Sequence, residues 1–397
     1  MSWQERFEHD LMHSLALPLA KLERGEGCRV QDDEGNWYLD FLAGIAVNSL
    51  GHAHPVFVEA VSAQAARLAH ISNYFASEPQ LELAERLVRL AGANGGRVLF
   101  GNSGAEANEA AFKLARLNRE GSRTRVLALD DAFHGRTMGS LALTGKAAMR
   151  APFEPMPGGV EHIPATLEAL EAAVDETVAA LFVEPVQGEA GVVELPGGFL
   201  ERARELTAQH GALLVVDEIQ TGAGRTGAWF GFQHAGIVPD AITVAKGMGG
   251  GFPIGALVTF GDASELFQAG QHGSTYGGNP LATAVSNAVL GEIERAGLVA
   301  NAARAGIRLR EIVAGLGSPL VTGTRGAGLL VGVALAEPRA AELMRAALAE
   351  GLIVNAANPS TIRLAPPLIV GDAELDEFGE RFGRALARLD HATNGTA

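Results

Sequence analysis

The chain of 397 residues has 47% hydrophobic residues and a formal net charge of −15, from 31 Lys and Arg against 46 Asp and Glu. This is the composition of a large globular protein with more than one domain, and the acidic balance argues against a nucleic-acid-binding protein, which usually presents a basic face. The one cysteine, Cys28, excludes an intrachain disulfide and suits a reducing cytoplasm. The start MSWQERFEHD lacks the apolar segment of a secretory signal, and no apolar run approaches the roughly 20 residues of a membrane span.

The first 60 residues differ in pattern from the middle of the chain. GCRVQDDEGNWYLDFLAG (27–44) predicts a β-hairpin with DDEG as its turn. From about residue 95 to 260, short apolar runs rich in β-branched residues alternate with helical patterns, such as 105–118 and 197–211. The predicted strands are 97–100, 125–131, 179–185, 212–218, 240–246 and 255–260. This alternation predicts a mostly parallel sheet covered by helices on both faces, with a ligand site where the strands end.

Beyond about residue 300, helical patterns are mixed with short strands at 328–335 and 361–370. The sequence therefore predicts a large domain over residues 61–295. It also predicts a smaller α+β domain, to which the segments 1–60 and 296–397 both contribute.

Three segments suggest nucleotide binding, but each lacks a required part. GAGRTG (222–227) fits G-x-G-x-x-G, yet several polar residues separate it from the preceding strand and no helix begins after it. LLVVDE (213–218) is similar to the acidic strand of a P-loop ATPase, but GSLALTGKA (139–147) has the wrong glycine spacing and Ala147 in place of Ser or Thr. In KGMGGG the lysine precedes the glycines instead of following them. A nucleotide-binding function is therefore disfavoured.

A lysine ends the apolar run DAITVAK (240–246), and glycines follow it in KGMGGG (246–251). In an apolar setting the pKa of a lysine falls, so Lys246 would present a neutral and nucleophilic amine. We expect the glycines to leave room beside it for a flat ring. A lone lysine at a strand end more often only extends its ammonium to solvent, so the residues at neighbouring strand ends decide between the two interpretations.

Residues that suit an aldehyde cofactor such as pyridoxal phosphate stand at those strand ends. Asp217 would keep a ring nitrogen protonated, and Gln220 would hydrogen-bond a ring hydroxyl. DAFHGRT (131–137) offers Phe133 for the face of a ring, with Arg136 beside it. Each residue alone has an ordinary structural explanation, and their occurrence together at a ligand edge favours the cofactor.

A phosphate would find backbone N–H groups at the start of a predicted helix. GNSGAEANEAAFKLA (101–115) supplies a short turn and then a helix, with Ser103, Gly104 and Ala105 facing the anion. Ser103 also predicts a helix cap, with Glu106 completing a capping box. The two roles are compatible.

Six motifs in these regions resemble the class III pyridoxal-phosphate aminotransferases. They are NSGAEANEAAFKLAR, FHGRT, EPVQGEAGV, VVDEIQTGAGRTG, AKGMGGGFPIGA and HGSTYGGNPLA. The resemblance spans nearly the whole chain. It implies the α/β fold type I of pyridoxal-phosphate-dependent transferases, with a large domain and a smaller α+β domain built from both chain ends. It further implies pyridoxal 5′-phosphate as cofactor and a homodimer with active sites shared across the interface.

The resemblance also assigns cofactor roles to residues of these motifs. Lys246 would bond the cofactor aldehyde and later carry a proton between substrate and cofactor, and Asp217 would pair with the pyridinium nitrogen. Thr275 would reach the phosphate of the neighbouring subunit. The class commonly has Thr where Ala105 stands, so one hydroxyl contact to the phosphate would be absent. The residues assigned to the cofactor are Ser103, Gly104, Ala105, Phe133, Asp217, Glu218, Ile219, Gln220, Lys246 and Thr275.

Four further residues are assigned to the substrate. Arg136 would bind the carboxylate remote from the reacting amine, and Arg363 would bind the α-carboxylate of glutamate or 2-oxoglutarate, because a guanidinium recognises a carboxylate through two parallel hydrogen bonds. Glu189 would neutralise Arg363 while an ω-amino donor is bound and swing away for the dicarboxylate. Ser274 would lie near the substrate.

Three segments narrow the resemblance to class members that act on acetylornithine: 39–55, 70–80 and 354–368. They imply transfer of the terminal amine of N2-acetyl-L-ornithine to 2-oxoglutarate, giving N-acetylglutamate 5-semialdehyde and glutamate in arginine biosynthesis. Donors such as 4-aminobutyrate, succinylornithine and ornithine stay open, since FHGRT also occurs in 4-aminobutyrate aminotransferases. A non-catalytic relative would be expected to lack Lys246 or Asp217, which are both present. GHAHP (51–55) offers no third metal ligand, so no metal is expected.

Overall fold

A seven-stranded sheet forms the centre of the computed structural model, which describes residues 1–118 and 123–394. Gly255–Thr259 runs antiparallel to both of its neighbours, and the other neighbouring strands are parallel. The predicted mostly parallel sheet is thus confirmed. In spatial order the strands are Val98–Gly101, Gly255–Thr259, Ala241–Val244, Leu213–Asp217, Val178–Val183, Arg125–Leu129 and Val160–Ile163.

Helices cover both faces of this sheet, because successive apolar residues of each central strand point to opposite faces. Phe182 and Val215 pack in the same cluster as the helix Gly104–Leu117. Their neighbours Val183 and Val216 pack in the cluster that contains Phe199–His210. The carboxyl ends of the parallel strands are left uncovered by these helices and meet at one edge.

The edge strand Val160–Ile163 is not among the predicted strands. Its sequence VEHI has two polar residues, and only Ile163 is fully buried. A half-exposed edge strand needs no continuous apolar run, so the pattern that identifies the central strands does not detect this one.

Two smaller sheets lie outside the central one: the first combines strands from both ends of the chain, and the second consists of strands within residues 321–364. The predicted hairpin near the N-terminus is confirmed, since Arg29–Asp32 pairs antiparallel with Trp37–Asp40. Asp32 holds its turn, because Asp32 Oδ1 accepts the Asn36 N–H at 2.8 Å. The division of the chain at residues 60 and 295 stays a prediction. One small sheet contains Leu22–Glu26, Arg29–Asp32, Trp37–Asp40 and Leu352–Ile353, and the other contains Val321–Ala327, Leu330–Leu335, Thr361–Leu364 and Asn355–Asn358.

The remaining elements are helices, short turns and a two-stranded hairpin of Val186–Gln187 with Val193–Glu194. None of the helices in the described ranges is long and apolar enough to span a bilayer. The α-helices are Trp3–Asp10, Ala43–Ala46, Pro55–Arg67, Glu78–Ala91, Gly104–Leu117, Met138–Leu143, Ala147–Arg150, Leu167–Ala173, Phe199–His210, Pro280–Arg295, Leu298–Gly315, Ala340–Ala349 and Asp372–Asn394. The 3₁₀ turns are Ala151–Phe153, Gly231–Ala235, Lys246–Met248 and Gly261–Glu265.

The turn Ala43–Ala46 is left-handed, with φ between 50° and 68° at all four residues. L-residues adopt this conformation at a cost, so it needs external support. Asp40 provides that support, since its Oδ1 accepts the N–H groups of Leu42 and Ala43 at 2.9 and 2.8 Å. The other carboxylate oxygen lies 2.7 Å from His52 Nε2, so this histidine of the GHAHP segment belongs to a structural pair.

Candidate active site

A cavity of about 440 Å³ opens at the edge of the sheet where the parallel strands end. The prediction of a ligand site at this edge agrees with its position. Most of the predicted cofactor residues line it, although they come from the ends of four different strands: Ser103, Gly104, Ala105, Phe133, Asp217, Ile219, Gln220 and Lys246. Arg136 also lines the cavity and is exposed at its mouth.

Lys246 enters this cavity directly after the strand Ala241–Val244. Its φ of 41° lies in the left-handed region, which is sparsely populated by residues other than glycine, Asn and Asp. Such backbone strain is typical of functional sites, where the surrounding fold maintains it. Burial lowers the pKa of Lys246, and the positive charge of Arg363 lowers it further. The amine therefore loses its proton more readily than an exposed lysine does.

The glycines around Lys246 serve the packing of the backbone more than they make room for a ligand. A Cβ atom at Gly247 would lie 2.7 Å from Ser49 Oγ, and one at Gly250 would lie 2.8 Å from Val289 Cγ2. Gly251 lines the cavity, whereas Gly247 and Gly250 do not. The expectation that the whole glycine run leaves room for a ring therefore needs correction, because most of that space is filled by neighbouring elements.

The Asp217 carboxylate is held in one orientation by three donors. Asn108 Nδ2 and His134 Nδ1 each lie 2.7 Å from Asp217 Oδ2, and the Ile219 N–H donates to Asp217 Oδ1 at 3.0 Å. Asp217 is 4% exposed and His134 is 1% exposed. Burial alone would lower the pKa of His134, but the Asp217 carboxylate outweighs it and raises that pKa above its ordinary value.

Sequence reasoning missed Asn108 and His134. His134 lies in the motif FHGRT between two residues that were assigned roles, and its position after a strand was the available signal. Asn108 lies one helical turn after Gly104, so it is on the face of the helix that begins at the cavity. Both act on Asp217 through hydrogen bonds that only the folded chain reveals.

The helix Gly104–Leu117 begins at the cavity, and its first N–H groups have no partner within the helix. Ser103 is the N-cap, since its side chain accepts the Glu106 N–H at 3.2 Å. The predicted capping box is not formed. Glu106 instead accepts from the backbone N–H and the side-chain amide of Asn102, one residue before the cap. The helix start thus offers backbone donors to an anion in the cavity.

Glu184 is a buried carboxyl group of the cavity that sequence reasoning also missed. It follows the strand Val178–Val183, and its Oε2 accepts the Phe133 N–H at 3.0 Å. Burial, as the largest cause, raises the pKa of Glu184 to about 7. Its position directly after an apolar strand is the sequence feature that could have identified it. Its hydrogen bond fixes the loop in which the Arg136 guanidinium lies 5.6 Å from the centre of the Phe133 ring.

Buried Arg363 and half-buried Glu189 form an ion pair beside the cavity. Arg363 is 2% exposed, and its Nη1 lies 2.5 Å from Glu189 Oε1. The same guanidinium donates to Gln220 Oε1 at 3.3 Å and to Asn355 Oδ1 at 2.8 Å. Burial alone would raise the pKa of Glu189, but the Arg363 charge outweighs it and keeps that pKa below its ordinary value. Since Gln220 lines the cavity, Arg363 lies one side chain away from it.

Glu218, which the resemblance assigns to the cofactor, points away from the cavity. Successive residues at a strand end point to opposite sides, so Glu218 and Asp217 diverge. The Glu218 carboxylate accepts from Thr221 Oγ1 at 2.5 Å and from the N–H groups of Gly231 and Phe232 at 2.8 and 2.7 Å. The Glu218 carboxylate thus supports the loop that follows the strand, so a contact of this side chain with the cofactor is not expected, and any cofactor contact of the Glu218 backbone stays a prediction.

Replacing Glu218 with Gln is expected to change how stability depends on pH. Burial raises the pKa of Glu218 to about 7 from an ordinary value of 4.5. The unfolded chain therefore ionises first, and this group reduces the stability of the native protein as the pH rises through that window. Between pH 5 and pH 8, the free energy of unfolding of the variant should rise relative to wild type by on the order of a few kcal/mol.

Urea unfolding at the two pH values measures this difference, with the exposed Glu82→Gln as a control for the substitution itself. A difference that stays constant with pH would show that Glu218 is ionised in the native state throughout.

Ser274 and Thr275 lie outside the cavity of this chain. Ser274 Oγ accepts from Asn102 Nδ2 at 3.2 Å and from the Gly277 N–H at 2.9 Å. Since Asn102 lines the cavity, Ser274 lies next to its wall. Thr275 is exposed, and the role assigned to it requires a second subunit.

Comparisons with known proteins agree with this geometry. The family model described as "Aminotransferase class-III" matches residues 13–386. Acetylornithine aminotransferases of Mycobacterium tuberculosis and Streptomyces coelicolor are each 52% identical to the chain over 377 and 376 residues, which is 94% of this chain and 94% and 92% of theirs.

Solved structures are also similar over nearly the full length. The ornithine aminotransferase from Toxoplasma gondii superposes with a TM-score of 0.93 at 32% identity, covering 98% of this chain and 95% of that one. The N-acetylornithine aminotransferase from Stenotrophomonas maltophilia gives a TM-score of 0.84 at 36% identity, covering 98% and 99%. The cavity with its lysine, the fold and these matches lead to one conclusion: the chain belongs to the class III aminotransferases.

Proposed function

We propose that this chain transfers the terminal amine of N2-acetyl-L-ornithine to 2-oxoglutarate, with pyridoxal 5′-phosphate as its cofactor. The observation that carries the proposal is the meeting of Lys246, the fixed Asp217 carboxylate and a helix N-terminus in one cavity. The relatives at 52% identity, which act on acetylornithine according to their names, support the choice of donor. The reaction gives N-acetylglutamate 5-semialdehyde and glutamate, and we place it in arginine biosynthesis in the cytoplasm.

The residues of the cavity fit the cofactor in their chemistry. The helix start at Ser103, Gly104 and Ala105 would hold the phosphate, Phe133 would contact the ring, and Asp217 would hold a proton on the ring nitrogen. Backbone donors supply the phosphate site without a hydroxyl at position 105. When bound, pyridoxal phosphate supplies an electron sink and carries the amine between the two substrates.

The protein contributes Lys246 as the group that carries a proton. Because burial lowers the pKa of Lys246, its Nζ can hold or release a proton at the substrate carbon next to the reacting amine. The Asp217 carboxylate cannot turn away from the ring, since Asn108 and His134 hold Oδ2 and Ile219 holds Oδ1. Both groups are therefore oriented before a substrate enters.

Recognition of two different substrates needs a carboxylate site that can open and close. Arg136 at the mouth would bind the carboxylate that is remote from the reacting amine. With the donor bound, Glu189 would neutralise Arg363, because a buried guanidinium without a partner is costly. With 2-oxoglutarate, the α-carboxylate of the substrate would take the place of Glu189 on Arg363. Glu189 would thus act as a gate between a monocarboxylate and a dicarboxylate.

Replacing Glu189 with Gln should separate the two half-reactions. Without the acid, Arg363 attracts the donor's carboxylate and draws the donor into the wrong orientation, so kcat/KM for acetylornithine should fall about tenfold or more. The half-reaction with 2-oxoglutarate should change by less than about threefold, because the carboxylate that competes for Arg363 is gone. Single-turnover absorbance of the cofactor measures both, and an equal loss in both half-reactions would contradict the gate.

A homodimer with shared active sites is part of the proposal. Thr275 lies in an exposed loop between Ser274 and Tyr276, which is 62% exposed. Asn73 Nδ2 donates to the carbonyl of Ser274 at 3.1 Å and so joins this loop to a segment where Tyr74 is 92% exposed. Exposed aromatic residues beside an active site favour a protein interface. A second copy of the chain placed there would receive Thr275 near its phosphate site.

A panel of amino donors assayed with 2-oxoglutarate tests the function. Acetylornithine should give the highest kcat/KM among acetylornithine, succinylornithine, ornithine and 4-aminobutyrate. A higher value for 4-aminobutyrate or ornithine would replace acetylornithine as the donor and leave the amino-transfer mechanism intact. Protein that neither binds pyridoxal phosphate nor transfers an amine would overturn the proposal as a whole.

A further inference from the structure

The Glu189 side chain lies at the tip of a hairpin whose backbone is held in place. The tip connects Val186–Gln187 to Val193–Glu194. The carbonyl of Ala190 accepts from Asn358 Nδ2 at 2.7 Å, and the carbonyl of Gly191 accepts from Arg325 Nε at 2.9 Å. A change in the position of the Glu189 carboxylate is therefore expected to come from rotation of its side chain, without movement of the hairpin.

Lys146 contacts the backbone of Glu189, whereas Arg363 contacts its side chain. Its Nζ donates to the carbonyl oxygen of Glu189 at 2.6 Å. Among the described residues, Lys146 forms no ion pair with a carboxylate, and it is only partly exposed. Glu189 thus has a guanidinium at its carboxylate and an ammonium at its backbone.

Standard bond lengths place the ammonium of Lys146 within reach of the carboxylate. The carbonyl oxygen of a residue lies about 2.4 Å from its Cα, so Lys146 Nζ is within roughly 5 Å of the Glu189 Cα. An extended glutamate side chain spans about the same distance from Cα to its carboxylate oxygens. Rotation about the side-chain bonds can therefore bring the Glu189 carboxylate from Arg363 to Lys146.

The charges favour such a second partner. When a substrate carboxylate displaces Glu189 from Arg363, the Glu189 side chain, now 26% exposed, loses the ion pair that offsets its burial. A carboxylate left there without a cation would oppose the displacement. Burial raises the pKa of Glu189, and the charges of Arg363, Lys246 and, as the smallest contribution, Lys146 lower it.

We propose that Lys146 is a positioning residue that receives the Glu189 carboxylate when a dicarboxylate occupies Arg363. Lys146 would thereby set the affinity for 2-oxoglutarate and glutamate without touching either of them. This inference rests on the proposed role of Glu189 as a gate, and it adds the group that stabilises the open position.

Equilibrium binding to the holoenzyme tests the proposal with a matched pair of ligands. Glutarate has two carboxylates and pentanoate has one on a chain of the same length, so only glutarate needs the gate to open. Lys146→Gln keeps a hydrogen-bond donor and removes the charge. By calorimetry its Kd for glutarate should rise about tenfold, while its Kd for pentanoate should stay within about twofold of wild type. Lys146→Arg, which keeps the charge, should bind glutarate within about threefold of wild type.

Steady-state and single-turnover kinetics should likewise show an effect on the dicarboxylate substrate and little effect on the amino donor. In Lys146→Gln the KM for 2-oxoglutarate should rise about tenfold, and the half-reaction with the amino donor should change by less than about threefold. Lys113→Gln is the control, because Lys113 also donates to a backbone carbonyl, that of Gln271, in an exposed place. It should leave both ligands unaffected.

A double-mutant cycle decides between a partner of the carboxylate and a mere support of the loop. In the Glu189→Gln background there is no charge to receive, so Lys146→Gln should change glutarate binding by less than about twofold. The proposal is overturned if the tenfold loss of glutarate affinity is unchanged in that background. It is also overturned if Lys146→Gln alone weakens the binding of glutarate and pentanoate equally, or if Lys146→Arg loses as much glutarate affinity as Lys146→Gln.

The same variants separate this proposal from the proposed gate. If Glu189→Gln alone weakens the binding of glutarate, the gate itself is wrong. If Glu189→Gln behaves as expected and Lys146→Gln matches wild type, only the role of Lys146 fails.

Discussion

Replacing Lys246 with alanine is expected to slow amino transfer by at least about a thousandfold, because one side chain supplies both the nucleophilic amine and the proton carrier. Lys246 is the lysine that lines the cavity, and within the described part of the chain no other lysine lines it. Burial and Arg363 lower its pKa, which favours the neutral, nucleophilic form of the amine. Alanine removes the nitrogen and leaves the cavity otherwise unchanged. Steady-state transfer from acetylornithine to 2-oxoglutarate measures the loss.

Lys246→Arg separates charge from reactivity in the same experiment. A guanidinium keeps its proton at any accessible pH, so arginine should be as inactive as alanine although the positive charge is retained. The exposed Lys21→Ala is the control and should keep wild-type activity. Borohydride treatment of wild-type holoenzyme should fix the cofactor covalently on the peptide that contains Lys246. Labelling at another lysine, or normal turnover by the alanine variant, would contradict the assignment.

The sequence was sufficient to predict the parts of the site that follow apolar strands. Asp217 and Lys246 end runs whose continuous burial makes a charged residue conspicuous, and the parallel sheet then places both at one edge. The same pattern is present at Glu184, which also directly follows a buried strand. Because side chains alternate at a strand end, Glu218 and Asp217 point in different directions. The motif shows only that the two residues are adjacent in sequence.

Contacts between distant parts of the chain could not be obtained from spacing. Arg363 and Glu189 are 174 residues apart and meet only because a strand of a small sheet packs beside the hairpin that carries Glu189. The family resemblance implied this pairing, and the sequence pattern around the two residues did not. The support of Asp217 by Asn108 and His134 is similar, because each of them is an unremarkable polar residue in its own segment. Tertiary packing gives such residues their role.

Replacing Asp217 with Asn is expected to lower kcat by about a hundredfold or more, which corresponds to at least roughly 2.7 kcal/mol of transition-state stabilisation. The amide has the size of the carboxylate but no charge to hold a proton on the ring nitrogen. It also conflicts with its surroundings, because Oδ2 accepts from Asn108 and His134 while Oδ1 accepts from the Ile219 N–H. Whichever position the new NH₂ group takes, it faces a donor instead of an acceptor.

The variant His134→Gln tests whether the support of the carboxylate matters separately from its charge. His134 touches Asp217 and not the reacting atoms, so its loss should cost less, about tenfold, and should shift the absorbance of the bound cofactor in the same direction as Asp217→Asn. The exposed Asp262→Asn controls for the change from acid to amide. If Asp217→Asn keeps kcat within about threefold of wild type and an unshifted spectrum, the ring nitrogen does not depend on this acid. In that case the buried arrangement of Asp217, Asn108 and His134 serves only to hold the strand ends together.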